Sequence, residues 1–576
     1  MGKNIKKIAR TETKKINKSV RIEPAAVEPF LLRTWRPYLL IAGLGAVIYL
    51  KAVFFGLAYL DDNNLILDNF YFIKNIGSII AAFGQDIFRL FNGGEIYYRP
   101  LLTVSLILDA QISGINPLFY HITNVILHLL ASCLVFALVK ELKYKKELAL
   151  IFSLIFVAHP ILSQAVAWIP GRNDSLMTVL VLASFIFFLK LEGKYRDLNA
   201  ILSLLFFFLA MLTKETSLIL VPICLLFALL MKRPKLKAGY WVLMAAGWGA
   251  AACSWFLLRS AALKHPAELK TIYIIQSLFN NLPAVLIYVG KIFLPFNLSV
   301  LPILRDTNFI YGGVSLIILL IWILFSKGKD MKMVWFGTGW FLLFLLPSFI
   351  RPNPDLPADF IEHRAYLPLI GMLIILIETF KNTDLKKRGA VLASIAILVF
   401  LSAVTFIHLD VFRDRISFWK NAAANSPHYP LAHRNLGAMY YLNGELEKAV
   451  PEYKKALELN PAEPMAHNNL GLIYMRQNHR AEAEKEFIAE IAINPTYDTV
   501  YFNLGLLYYS ERRAGDAEKA WKKTVELNPE YIEAYKYLAV LYLYENRIPE
   551  AISNVEQMKR RGVEVPAELL KALKLY

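Results

Sequence analysis

Two aspartates close an apolar run in "YLDDNNLILDN", residues 59–69. A carboxylate pair placed there can take a proton from a hydroxyl, hold a divalent cation such as Mg²⁺ or Mn²⁺, or cap the next helix. Asp61 and Asp62 have company further along. "NGGEIYYRPLLTVSLILDAQISG" supplies Tyr98 and Arg99, and "AHPILSQAVAWIPGRNDSL" supplies His159, Arg172 and Asp174. "LTKETS" adds Lys214 and Glu215, and "RPNPDLPADFIEHRAYLP" adds Glu362, His363 and Arg364. Each of these stretches abuts an apolar run, where an ionisable side chain is costly and marks a candidate site. Their cations can receive an anion, and the planar fork of Arg suits phosphate better than the point charge of Lys. Structural roles compete at every position: Asp61 and Asp62 as caps, Arg172 with Asp174 and Glu362 with Arg364 as internal pairs, Tyr98 as an interfacial anchor. His121 and His128, on one expected helix, read as packing residues.

The elements that must carry these groups are membrane helices. Of 576 residues, 56% are hydrophobic and 13% aromatic, with a mean hydropathy of +0.43. That is too apolar for a soluble chain of this length. The net charge of +17 fits basic cytoplasmic loops, and the hydropathy argues against a nucleic-acid binder. Cys133, Cys224 and Cys253 each lie within apolar runs and carry neither disulfide nor zinc spacing. A span needs roughly 20 apolar residues. Candidates are 37–59, 117–140, 147–157, 174–190, 198–212, 217–231, 240–258, 311–325, 334–349, 365–380 and 390–409. The stretch 281–302 is apolar but interrupted by Pro283, Pro295 and Pro302, and reads as re-entrant or interfacial. Loops rich in Lys and Arg, such as "KELKYKKE", "MKRPKLK" and "KNTDLKKRG", alternate with poorer ones. The positive-inside rule then places them and the N-terminus in the cytoplasm, provided that 281–302 does not cross.

Beyond residue 413 the pattern changes. Pro427, Pro461, Pro495 and Pro529 recur every 34 residues, as do Leu436, Leu470, Leu504 and Leu538, and Ala449, Ala483, Ala517 and Ala551. Gly437, Gly471 and Gly505 keep the same period, with Ala539 in the fourth place. A 34-residue period with L-G-x-x-Y resembles the tetratricopeptide repeat, a helical solenoid that binds proteins. The expected organisation is all-α: a basic cytoplasmic tail over 1–36, a polytopic membrane domain over 37–412 with a far-side loop at 60–116, and about four repeats over 413–576.

The ordered set "YLDD", "YYRPLLTVSLILD", "INPLFYHITNVILHLL", "AHPILSQAVAWIPGRND", "LTKET" and "EHRAYLPLIG" followed by repeats resembles the transmembrane-and-TPR protein O-mannosyltransferases, within the GT-C class of membrane glycosyltransferases. The resemblance implies transfer of a sugar, mannose or another hexose, from a polyprenyl-phosphate donor to a protein hydroxyl on the periplasmic or luminal side. It implies no required cofactor, a lipid-linked donor, a protein acceptor held by the repeats, and an integral protein of a bacterial inner membrane or an ER membrane. Under it Asp62, or else Asp61, is the general base. Arg99, His159, Arg172, Lys214, His363 and Arg364 meet the donor phosphate, and Asp174, Glu215, Glu362 and Tyr98 contact sugar or acceptor. The rival reading is a non-enzymatic membrane scaffold, and it leaves the one-sided clustering of these groups unexplained. A transporter is expected to show a duplicated membrane half and mid-helix charges, and neither is evident.

Overall fold

A computed structural model describes residues 30–88, 97–264, 270–350, 359–385 and 387–574. The expected basic tail lies outside the described residues as far as residue 29. Among the described residues the architecture is helical, and the only extended pairing is an isolated bridge between Ile303 and Asp359.

Each expected span carries a helix, and length sorts them. Arg36–Phe54, Leu118–Glu141, Ile169–Glu192, Ala238–Ala262, Met331–Phe349 and Arg388–Phe412 are long and apolar enough to cross a bilayer. Glu215–Met231, Ile310–Phe325 and Pro368–Phe380 are shorter apolar helices, as is Pro100–Ser113 in the segment after the first span. Arg196–Met211 packs along Arg172–Leu189. The segment expected over 147–157 is one arm of a bent pair, Lys146–Ala158 with Pro160–Ala167, at 51°. Pro160 removes an amide at the break, which is the usual cause of a sharp kink. The proline-interrupted stretch starts earlier than expected, at Thr271. It forms a second pair, Thr271–Asn281 with Ala284–Phe293, bent by 44° on either side of Pro283.

Exposure identifies the surrounding solvent. Along Ala238–Ala262 only Met244, Trp248 and Ala262 are buried, while Val242, Leu243, Phe256 and Leu257 are exposed. Arg388–His408 likewise exposes Leu392, Ile395, Val399 and Ile407. Apolar surface of this extent belongs against lipid, so the chain is an integral membrane protein. The segment after the first span shares a small core with the bundle, built from Leu65, Ile66, Ile73, Leu102, Leu106 and Ile107 with Tyr120 and Ile169.

After the last span, Arg415–Asn425 leads into four helix pairs: Pro430–Leu442 with Leu446–Leu459, Ala466–Arg476 with Arg480–Ile493, Asp498–Ser510 with Ala514–Leu527, and Ile532–Tyr544 with Ile548–Arg560. The repeat glycines have a packing reason. A Cβ on Gly437 would sit 3.2 Å from the Tyr453 ring, and one on Gly471 would sit 2.6 Å from the Phe487 ring. Gly505 meets Trp521 in the same way. In the fourth repeat the glycine becomes Ala539, and the facing position becomes Val555. Neighbouring repeats are tied by Arg513 to Glu484 at 3.0 Å and by Arg547 to Glu518 at 2.8 Å.

A tight helix contact in the membrane half lies between Met331–Leu345 and Pro368–Phe380. A Cβ on Gly337 would lie 2.7 Å from the carbonyl oxygen of Gly371, and one on Gly371 would strike the Gly337 carbonyl and the Phe341 amide. Small residues permit such backbone approach between membrane helices. Gly371→Ala is therefore expected to destabilise the fold by about 1–3 kcal/mol, visible as a lower melting temperature in detergent, whereas Gly249→Ala, with open space around it, should melt as wild type.

Candidate active site

The acid pair owes its position to a loop that reverses on itself. Tyr59 and Asp61 both adopt left-handed backbone angles, φ 60° and 66°, a conformation that Asp tolerates and Tyr adopts only when its surroundings enforce it. Two indoles supply that constraint. Trp168 Nε1 donates to the Leu60 carbonyl at 2.8 Å, and Trp419 Nε1 donates to the Ala58 carbonyl at 3.1 Å. The Gly56 amide donates to the Arg413 carbonyl at 2.9 Å, and the Arg415 guanidinium lies 5.1 Å from the centre of the Tyr59 ring. Thus the helix that opens the repeat domain grips the loop bearing the acids. A π-helical turn follows at Asn63–Asp68, an irregularity common at functional sites.

The two aspartates face different ways. Asp62 is 1% exposed. Its carboxylate accepts from the amides of Ala58 at 2.6 Å, Leu60 at 3.1 Å and Asn63 at 3.0 Å. The expectation that Asp62 is the acid presented to a substrate is corrected here: its oxygens are spent on its own loop. Asp61 lines a cavity of about 500 Å³. Burial pushes the Asp61 carboxyl up to about 6, against the lowering effect of Arg99 and with a raising effect from Asp359. Burial pushes Asp62 up to about 7, against the amides of Ala58 and Asn63, with Asp61 adding to the rise.

The cavity gathers residues far apart in sequence. Tyr98, Arg99, Asp174, Lys214, Glu215, His363 and Arg364 line it together with Asp61. Arg99 makes a forked contact with Glu215, Nη2 to Oε1 at 2.7 Å and Nε to Oε2 at 3.2 Å. Lys214 Nζ donates to both Asp174 oxygens at 2.8 and 2.9 Å. Arg364 donates through Nη1 to the Asp359 carbonyl at 2.8 Å and pairs with its carboxylate at 3.1 Å. Burial would lower Arg99 and Arg364, but Glu215 and Asp359 respectively hold them above the ordinary range. Burial lowers Lys214 despite Asp174. Burial, followed by Lys214, Arg364 and Arg99, drives His363 well below its usual value and leaves it a neutral imidazole. Its Nε2 lies 3.7 Å from Asp174 and its Nδ1 has no partner among the described residues. Asn173 Oδ1 and Trp255 Nε1, on two further lining residues, are also buried without partners. The cavity therefore has ionised walls and unspent polar atoms, as a site for a polar ligand requires.

Three expected residues stand elsewhere. Arg172 is fully buried: Nε donates to Asn124 Oδ1 at 2.7 Å, Nη2 donates to the Tyr120 carbonyl at 2.6 Å, and the guanidinium pairs with Asp109 at 2.6 Å. With its fork occupied, it braces three helices and does not line the cavity. His159 bonds the Ile292 carbonyl at 2.9 Å and accepts from the Ile161 amide at 3.3 Å. It joins the two bent pairs and does not line the cavity. Glu362 is 0% exposed. It accepts from Lys291 at 2.7 Å and from the Ser299 amide at 2.7 Å, and lies 3.4 Å from His408. It anchors the turn that carries His363 and Arg364, and it does not line the cavity.

Sequence reasoning missed Arg259, Trp255 and Asn173, all of which line the cavity. Arg259 had a readable signal: one cation near the end of an otherwise apolar helix, Ala238–Ala262. Among the described residues no three His, Cys, Asp or Glu side chains converge as a metal site requires.

Fold and site together describe a membrane helix bundle with an ionised cavity at one end and a repeat domain docked beside it. Residues 104–258 match a family model described as dolichyl-phosphate-mannose-protein mannosyltransferase, and residues 437–478 and 502–560 match tetratricopeptide repeat models. The chain is similar to the protein O-mannosyl-transferase F38B6.6 of Caenorhabditis elegans, with 25% identity over 73% of this chain and 62% of that one. It is also similar to mouse protein O-mannosyl-transferase TMTC1, with 34% identity over 25% of this chain and 17% of that one. The chain thus spans less than two thirds of the length of these curated relatives. Among solved structures, MamA of Desulfovibrio magneticus RS-1 aligns with 25% of this chain and 81% of its own at 22% identity and a TM-score of 0.23. The chain is thus similar to protein O-mannosyl-transferases, and it joins a segment that matches a mannosyltransferase model to segments that match tetratricopeptide repeat models.

The two arginines separate by experiment. Arg172→Gln leaves Asp109 buried without its cation, and breaking such a pair costs about 3–5 kcal/mol, so expression and detergent melting should fall together. Arg364→Gln removes one partner of a pair at the cavity wall, 19% and 18% exposed, and should lower melting less than Arg172→Gln does. Equal melting of the two variants would overturn the assignment of Arg172 as a brace.

Proposed function

We propose that this protein transfers a hexose from a polyprenyl-phosphate donor to a hydroxyl of a protein acceptor, with Asp61 as general base. One observation carries the reading: a half-buried aspartate with a raised pKa shares a cavity with Arg99, Lys214 and Arg364, contributed by three separate loops at one end of the membrane bundle. A base with a pKa near the working pH combines availability with proton affinity. Asp61 takes the proton of the attacking hydroxyl as its oxygen bonds to the anomeric carbon. The bond from that carbon to the phosphate oxygen breaks, and the phosphate leaves with the electron pair. Attack from the face opposite the phosphate inverts the anomeric carbon.

The cations stabilise the departing charge. Arg99 keeps Nη1, and Arg364 keeps Nε and Nη2, unspent on any partner among the described residues. Their carboxylate partners hold the guanidinium planes in place before the donor arrives, which is the preorganisation that makes such groups effective. Neutral His363 can donate to or accept from a sugar hydroxyl without adding charge. Asp62 acts through the loop: it fixes the amides around which Asp61 is displayed. The repeats, gripping that same loop through Trp419, present the protein acceptor beside it.

The test is sugar transfer from a polyprenyl-phosphate hexose to a protein acceptor by the purified chain. Asp61→Asn should lower the rate by about 10²–10⁴ while melting stays near wild type. The sign of the pH dependence follows from the base: transfer by wild type should fall as pH drops through about 6 to 7, where the pair Asp61 and Asp62 takes up protons. The residual rate of Asp61→Asn should lack that limb. A wild-type rate in Asp61→Asn would sink the reading.

The same proposal sets the orientation. The N-terminus and basic loops lie in the cytoplasm, and the cavity and repeats lie on the periplasmic or luminal side, with the second bent pair entering and leaving on one side. A reporter active only outside the cytoplasm should work when fused after Tyr576. A reporter active only in the cytoplasm should work when fused before Met1. Activity of both fusions on one side would overturn the orientation and the re-entrant reading of the bent pair together.

A further inference from the structure

A second cavity, of about 510 Å³, lies among the ends of Leu118–Glu141, Arg172–Leu189, Leu220–Met231 and Met331–Leu345. Three elements run from one cavity to the other. Asp174, Glu215 and Phe344 line the first, and Lys190, Met231 and Met333 line the second. Along the helix from Asp174 to Lys190 the separation is about 24 Å at 1.5 Å per residue, close to the hydrocarbon thickness of roughly 30 Å. The two cavities therefore sit at the two headgroup levels of the bilayer. Exposed aromatics mark the second level: Tyr195, on the cavity rim, is 64% exposed, and Trp335, beside Met333, is 60% exposed.

The lining is divided. Phe187, Leu189, Phe227, Met231 and Met333 supply apolar walls, while Lys143, Lys190, Lys194 and Arg233 face only Glu141 and Glu192. Glu192 is taken by Arg233 at 2.8 Å, and Glu141 lies 3.8 Å from Lys190. Lys143 and Lys194 have no carboxylate partner among the described residues. Two uncompensated ammonium groups over an apolar wall at headgroup depth suit a phosphate that carries acyl chains. We propose that this cavity binds the headgroup phosphate of an anionic phospholipid of the leaflet opposite the candidate active site. Lys143 and Lys194 bind the phosphate, and the apolar wall receives the start of the acyl chains. The ligand stabilises the helix ends that it joins and takes no part in sugar transfer.

The full-length protein in detergent is titrated with phosphatidylglycerol, phosphatidylcholine or inorganic phosphate while its melting temperature is followed. Phosphatidylglycerol should raise the melting temperature by several degrees, and the other two should leave it unchanged. Lys143→Gln with Lys194→Gln should need roughly thirtyfold more phosphatidylglycerol for the same shift, about 1 kcal/mol for each lysine. Lys327→Gln with Lys387→Gln, which removes two exposed charges of other basic loops, should respond as wild type. Equal shifts with phosphatidylcholine would mean non-specific lipid contact. Equal shifts with inorganic phosphate would mean a soluble anion site. A wild-type response from the Lys143 and Lys194 variant, or an equal loss from the Lys327 and Lys387 variant, would place binding elsewhere. Each of these outcomes overturns the proposal.

Discussion

Hydrocarbon offers no hydrogen bonds, and most of this molecule follows from that. Backbone amides and carbonyls that cross it must pair within their own segment, so the membrane half is helical. Side-chain charge must be neutralised by a partner or carried to the headgroup levels. Arg172 with Asp109 and Lys291 with Glu362 follow the first route, as buried ion pairs. Asp61, Arg99, Lys214 and Arg364 follow the second, collected around one cavity at one end of the bundle. The same chemical types therefore serve two purposes, and depth and partnering decide which.

The sealed pairs and the open cavity are mechanically joined. Arg172 ties Pro100–Ser113 to Leu118–Glu141 through Ser105, Asn124 and the Tyr120 carbonyl, and its helix begins with Asn173 and Asp174 at the cavity. Glu362 ties the second bent pair to the turn that carries His363 and Arg364. A buried ion pair contributes little net stability against an apolar alternative. Here each pair fixes the direction of the residue next to it in sequence, and that residue is the one on the cavity wall.

The repeat domain is part of this arrangement. Trp419 holds the Ala58 carbonyl, the Ala58 amide holds Asp62, and Asp62 shapes the turn that displays Asp61. Asn421 and Ser426 fasten the same helical entry to the chain at Val300 and Leu301. One apolar core runs without interruption from Ile41 in the first span to Leu470 in the second repeat. The first repeat is thus packed directly against the elements that hold the acid loop.

Much of this was legible in the chain itself. Apolar runs of helical length located a helix at each of the expected spans, because a hydrocarbon solvent acts on local composition. The 34-residue period located the repeats, because each repeat packs against its neighbour with the same few side chains. Most cavity residues could be named, because charge beside an apolar run is rare enough to signal a site. Tertiary structure alone decided which of those charges line the cavity. Adjacent letters such as Asp61 and Asp62, or Glu362 and His363, point to different places once the turn is formed, and no local pattern records that direction. Arg172 looked like Arg364 in sequence because both are cations near a span. Only the fold brought Asp109, Asn124 and the Tyr120 carbonyl around the first and left part of the second's fork unspent, since a side chain's hydrogen-bond partners come from segments whose approach is set by packing across the whole bundle.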